Sequence, residues 1–227
     1  MSTKSTSPNP MDLFRTPAMR TITLVLSLSW FTTSFCYFPI AMDVQRFGLS
    51  MYLTQVVFAA SEFPMRLLST IGAFYIGRRV TIAFLLILSG TLLLCTMAIP
   101  TDMTVLQMIL TAVAKSIIGS CIVCSYLYTT ELYPTVLRQT GMGFTNMMMR
   151  LGAVVAPIVM ITKAYVSFLP LVIFGVMPII SGLPILWLPE TKDCALLDTV
   201  EEVETRAWKL KTPAITQNNN IVHGTKV

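Results

Sequence analysis

Six apolar blocks, residues 21–41, 52–76, 80–99, 105–128, 140–161 and 168–188, alternate with short polar links along this chain. Each block is long enough to cross ~30 Å of hydrocarbon at about 1.5 Å per helical residue, so each predicts a transmembrane helix. Four of the links are Asp43-Val44-Gln45-Arg46, Gly77-Arg78-Arg79, Pro100-Thr101-Asp102 and Thr130-Glu131-Leu132-Tyr133-Pro134. The pattern predicts an all-α membrane protein in three parts: a polar segment over 1–20, a six-helix transmembrane domain over 21–188 and a polar tail over 189–227. The tail opens with Pro189-Glu190-Thr191-Lys192 and passes through an acidic patch. Its end, around Asn218-Asn219-Asn220 and His223, is expected to be disordered and solvated. Residues 1–10 are polar, with no apolar region directly following, so no signal peptide is expected.

Composition agrees with the pattern. Of 227 residues 54% are hydrophobic and 12% charged, with a mean hydropathy of +0.71. An average soluble chain carries about twice that charged share, so a soluble globule would lack polar surface here. The five cysteines show no disulfide spacing. Cys121-Ile122-Val123-Cys124 lies inside an apolar block without a companion pair, which argues against a metal or redox site. No H-E-x-x-H, G-x-S-x-G or P-loop pattern occurs, so neither enzymatic activity nor a cofactor is expected. The net charge of +5 comes from scattered residues with no basic stripe, and no nucleic-acid partner is expected.

Orientation follows from Lys and Arg. With six spans both termini lie on one side, together with Lys4, Arg15, Arg20, Arg78, Arg79, Arg138 and five cations of the tail. The other side has only Arg46 and Lys163. Both termini are therefore expected in the cytoplasm.

Three cations, Arg66, Lys115 and Arg150, and one acid, Glu62, fall inside spans. A charge at the bilayer centre costs roughly 2.5–3.5 kcal/mol on insertion scales, so such residues usually face a bundle interior or a watery path. Glu62 and Arg66 are four residues apart and can neutralise one another, although Pro64 between them disturbs the helix. Lys115 has about ten apolar residues on either side and calls for an interior partner. Arg150 has no acid within a turn in its own span. The excess of positive charge points to attraction of a negatively charged solute. Near Arg150 lie Asn146 and Met147-Met148-Met149, adaptable side chains that suit varied ligands but also ordinary packing. Gly152 and Ala156 are spaced for close helix contact, and Pro157 follows. Trp30, Phe31, Phe35, Tyr37 and Phe38 form an aromatic cluster in the first span, where the Tyr37 hydroxyl needs a partner. At the cytoplasmic ends, Glu131 and Arg138 can join Arg78 or Arg79 in a latch that closes that side; positive-inside topology explains the arginines but not Glu131.

Several stretches together resemble one family. They are Asp12-Leu13-Phe14-Arg15-Thr16-Pro17, Gly77-Arg78-Arg79, Tyr128-Thr129-Thr130-Glu131-Leu132-Tyr133-Pro134-Thr135, Arg138-Gln139-Thr140-Gly141-Met142-Gly143 and Pro189-Glu190-Thr191. From residue 11 to about residue 197 the chain is similar to the organic anion transporter branch of solute carrier family 22, in the major facilitator superfamily. The resemblance is to the C-terminal half, spans seven to twelve of twelve. It implies alternating access, a plasma-membrane location and a substrate site near the midplane. It further implies substrate-binding roles for Arg150, Arg66, Lys115, Tyr37 and Phe38; Asn146, one turn from Arg150, is expected to line the same site, and Arg78, Arg79, Glu131 and Arg138 are the expected cytoplasmic gate. Arg150 matches an arginine of the anion branch where the cation branch has Asp. Arg66 stands where a Lys is usual, Glu62 matches an adjoining acid, and Ile122 departs from a common Phe. The implied partners are small organic anions, the lipid bilayer, and an N-terminal carrier half or a full-length carrier. The alternative is a truncated, non-transporting membrane protein that binds or interferes with full-length carriers.

Overall fold

The computed structural model describes residues 10–42, 51–99, 103–165, 168–192 and 199–211. The Asp43–Arg46 link, the Pro100-Thr101-Asp102 link, residues 1–9 and the tail around Asn218-Asn219-Asn220 and His223 lie outside the described residues.

The chain is all-α, with no strand among the described residues, and six long helices form one bundle. They are α1 (Pro17–Met42), α2 (Met51–Tyr75), α3 (Arg78–Ala98), α4 (Thr104–Leu132), α5 (Arg138–Ile161) and α6 (Leu169–Ile185). A seventh helix, α7 (Val200–Lys211), forms within the acidic part of the tail. Thr199 precedes it and accepts the N–H of Glu202 at 3.4 Å, an N-cap that explains where it starts. The main packing partners are α1 with α5, α3 with α6 and α4, and α2 with α4.

Among the described residues four helices, α1, α3, α4 and α5, are long and apolar enough to cross a membrane. The other two differ for readable reasons. In α2, Glu62 and Arg66 lower the hydropathy. In α6 the helix has only 17 residues, about 26 Å, and contains Pro178 and Pro184. At 29 residues α4 is about 44 Å long, so one of its ends extends beyond a ~30 Å hydrocarbon layer. Its last turn carries Thr129, Thr130 and Glu131, polar residues that nonetheless remain helical.

Among the described residues the two largest of three apolar clusters hold most of the bundle. One contains Met19, Trp30, Leu86, Tyr128, Tyr133 and Leu188, and also takes Val203 from α7. The other contains Phe35, Cys36, Leu93, Ile118, Ala156 and Phe174. Close approach of α1 and α5 depends on Gly152, because a Cβ there would collide with the carbonyl oxygen of Phe31. Cys121 and Cys124 are buried free thiols in α4.

Candidate functional site

Helix arithmetic aligns Lys115, Gly119, Ile122 and Tyr126 on one face of α4, at steps of four, three and four residues. At the Lys115 end, Glu62 of α2 meets both α4 and α1. Its Oε1 accepts from Lys115 Nζ at 2.7 Å and from the Tyr37 hydroxyl at 3.0 Å. Its Oε2 accepts from Arg66 Nη2 at 3.1 Å. The Lys115 ammonium also lies 4.8 Å from the Tyr37 ring centre and 5.2 Å from that of Phe58, which suits a cation with few water partners. The three charged side chains differ in accessibility: Lys115 is 6% exposed, Glu62 13% and Arg66 48%. Pro64 does not prevent the Glu62–Arg66 contact. Gly119 leaves room for the cluster, since a Cβ there would stand 3.2 Å from Glu62 Oε1 and 3.3 Å from Tyr37.

At the Tyr126 end, the Tyr126 hydroxyl donates to Asn146 Oδ1 of α5 at 2.9 Å. The Tyr126 ring meets Trp30 of α1 edge-on at 4.5 Å, and Trp30 Nε1 donates to Thr129 Oγ1 at 3.1 Å. Arg150 is one turn beyond Asn146 on the same face of α5. It is exposed, and no acidic or hydrogen-bonding partner reaches it among the described residues. Because α4 and α5 are joined by a short turn and run antiparallel, Arg150 lies about level with Ile122. That is roughly 5–10 Å along the bundle from the Gly119–Lys115 level. Phe38 is exposed and packs edge-on to Tyr37 at 5.7 Å. Tyr126 was not among the sequence-derived candidates; its place on the Lys115–Ile122 stripe was the available signal.

A second charged group ties the helix ends together. Arg78 Nη2 meets Glu131 Oε1 at 3.2 Å, and the Thr191 hydroxyl donates to Glu131 Oε2 at 2.6 Å. Arg79 Nη1 donates to the Leu188 carbonyl at 3.0 Å. No ion pair of Arg138 is present among the described residues, and its Nε and Nη2 are buried without a partner. Glu190, absent from the sequence-derived gate, is the hub. Its Oε1 accepts the backbone N–H groups of Arg78 at 2.9 Å, Arg79 at 3.5 Å, Thr191 at 3.1 Å and Lys192 at 3.3 Å. Gly77, at φ 119°, offers no side-chain cap for α3, and a Cβ there would meet the Glu190 carboxylate at 2.8 Å. The carboxylate therefore caps α3 from the far end of the chain, where the helix dipole favours negative charge. Lys192 Nζ caps the opposite kind of terminus, donating to the Tyr75 carbonyl of α2 at 2.6 Å. Nearby, burial pushes the Tyr133 phenol up to about 12, so it stays protonated and donates to Thr23 Oγ1 at 3.2 Å.

This arrangement offers fixed positive charge, aromatic surface and an amide within one bundle, with no cluster of metal ligands among the described residues. No family model matches the chain. It is 47% identical over 196 residues to solute carrier family 22 member 6-A of Xenopus laevis, covering 86% of this chain and 35% of that protein. It is 40% identical over 202 residues to organic anion transporter 3 of Sus scrofa, covering 89% of this chain and 37% of that protein. Organic anion transporter 3 of Homo sapiens is 39% identical over 202 residues, again 89% and 37%. The chain is homologous to the organic anion transporters of solute carrier family 22. It spans a little over a third of the length of the curated relatives it matches. As a homologue with several long apolar helices, it is a multi-pass membrane protein.

Proposed function

We propose that this chain forms the C-terminal half of a polyspecific organic anion carrier. In this reading α1–α6 are spans seven to twelve of a major facilitator fold in the plasma membrane, with both termini cytoplasmic, and the N-terminal half supplies the opposite wall. Transport, not catalysis, is the activity. Arg150 is the main counter-charge for the substrate, and Tyr37, Phe38 and Asn146 line the site. Arg66 and Lys115 contribute positive field from around Glu62. Arg78, Arg79, Glu131 and Arg138 belong to the cytoplasmic gate, with Arg138 awaiting a partner that the opposite half can provide.

Arg150 is the observation that carries this reading. An exposed cation without an acid partner is costly against lipid, and becomes favourable where a solute anion or water meets it. In a partly desolvated site a contact of this kind is worth about 4 kcal/mol at 4 Å and an effective dielectric near 20. The test is initial uptake of an aromatic monocarboxylate by the full chain co-expressed with the N-terminal half of a matched carrier, corrected for surface abundance. Arg150→Asp is expected to lower uptake at least about a hundredfold. Arg150→Lys keeps the charge but not the bidentate fork, and falls between. Wild-type uptake by Arg150→Asp would refute the assignment.

A further inference from the structure

Glu62 stands among the cations of a site proposed to attract anions, and nothing above gives it a role there. Its two oxygens are not equivalent. Oε1 holds the shortest contact of the cluster, 2.7 Å to Lys115, and also takes the Tyr37 hydroxyl at 3.0 Å. This oxygen sits against a lysine that is 6% exposed, between two aromatic rings. Among the described residues Oε2 holds only Arg66, at 3.1 Å, and that arginine is 48% exposed. One oxygen is therefore committed to a buried partner and the other to an accessible one.

We propose that Glu62 is a built-in counter-anion of the substrate site: Oε1 keeps Lys115 out of ligand reach, while Oε2 holds Arg66 in a contact that an incoming organic anion must displace. The inference rests on the transport reading and deepens it. The buried half cannot exchange, because releasing Lys115 would leave an ammonium unpaired in apolar surroundings. The accessible half can, because a half-exposed pair is weak and a ligand carboxylate offers the guanidinium the same geometry. Glu62 acts on the ligand through Arg66, which makes it a positioning residue that sets affinity. Much of what Arg66 could give an anion is masked while Glu62 is charged.

The test separates this role from a structural one by the dependence of uptake on substrate concentration. It uses the full chain co-expressed with an N-terminal half of a matched carrier, and one aromatic monocarboxylate. Glu62→Gln together with Lys115→Gln removes both members of the buried pair and leaves Arg66 unmasked. Its KM should fall about fivefold, the factor set by one accessible ion pair of roughly 1 kcal/mol. Adding Arg66→Gln should abolish that fall. Glu62→Asp provides a second route: a shorter side chain keeps one cation and releases the other, so KM should also fall. A structural role alone would lower surface abundance and leave KM unchanged. Unchanged or raised KM in whichever of these variants reaches the surface overturns the proposal, as does a fall that persists without Arg66. If neither variant reaches the surface, Arg66→Gln alone decides: loss of the exchanged contact predicts a rise in KM of no more than about fivefold, and an unchanged KM or a larger rise overturns it. Absence of saturable uptake by the wild-type pair, or full activity of Arg150→Asp, would count against the transport reading itself.

Discussion

Glu62, in the middle of α2, and Glu190, just beyond α6, each accept several hydrogen bonds, but from different kinds of donor. Glu62 takes two formal cations and a phenol from three helices. Glu190 takes four backbone N–H groups at one oxygen. The difference follows from depth. In mid-helix every backbone N–H is already used, so a carboxylate can be satisfied only by side chains. At a helix start the first N–H groups are free, and the dipole adds to them. The two clusters should therefore fail differently. Breaking the first strands a charge in a low-dielectric interior; breaking the second exposes amides that water can reach.

The largest expected effect comes from stranding that charge. Glu62→Ala leaves Lys115, 6% exposed, without its carboxylate. Removing one partner of a buried pair costs about 3–5 kcal/mol, whereas replacing both by neutral groups costs far less. Surface abundance and the melting temperature in detergent should both collapse in Glu62→Ala and recover substantially in Glu62→Ala with Lys115→Met. If the double variant is no better than the single one, the carboxylate matters for some reason other than neutralising Lys115.

The helix-end cluster should respond more mildly. Glu190→Ala removes the cap of α3 while leaving the Arg78–Glu131 pair at 3.2 Å in place. Loss of an N-cap typically costs about 1 kcal/mol, with up to about another 1 from the dipole interaction. Local opening should show more clearly than global stability: trypsin should cut after Arg78 or Arg79 several times faster than in wild type. Equal cutting rates would mean that the Gly77 link is held by something other than Glu190.

How much of this was readable beforehand depends on range. The helices were legible from apolar runs, and their ends shifted by local chemistry. The first block, read from residue 21, begins at Pro17, a residue suited to a first helical turn. The fourth, read to residue 128, continues to Leu132, because Thr129 and Thr130 bond back to the carbonyls of Ser125 and Leu127 and do not stop the helix. The Glu62–Arg66 pair was visible as a four-residue spacing. The Glu62–Lys115 pair was not, since 53 residues separate its members and only the packing of α2 on α4 brings them together. Glu190 was hidden for the same reason: its partners lie 111 and 112 residues away, and an acid beside a proline carries no mark of a cap for another helix. Arg138 taught the converse. Its position at a helix end suggested the latch, yet the acids nearby are taken by Arg78, Thr191 and backbone amides.

The smallest expected effect concerns Arg66, and it sharpens the contrast within the Glu62 cluster itself. Arg66 contributes one contact at 3.1 Å from a side chain 48% exposed, whereas Lys115 contributes 2.7 Å from a buried one. After Arg66→Ala, Glu62 still has Lys115 and the Tyr37 hydroxyl, so no charge is left alone. A half-exposed ion pair is worth about 0–1 kcal/mol, and removal of a cation from a span offsets part of that. The melting temperature should therefore move by only a few degrees, and surface abundance should stay close to wild type. Uptake should likewise suffer less than in Arg150→Asp, because the charge removed was already shared with Glu62. A fall in melting temperature as large as that of Glu62→Ala would reverse the ranking: Arg66, not Lys115, would be the cation that the carboxylate is there to hold.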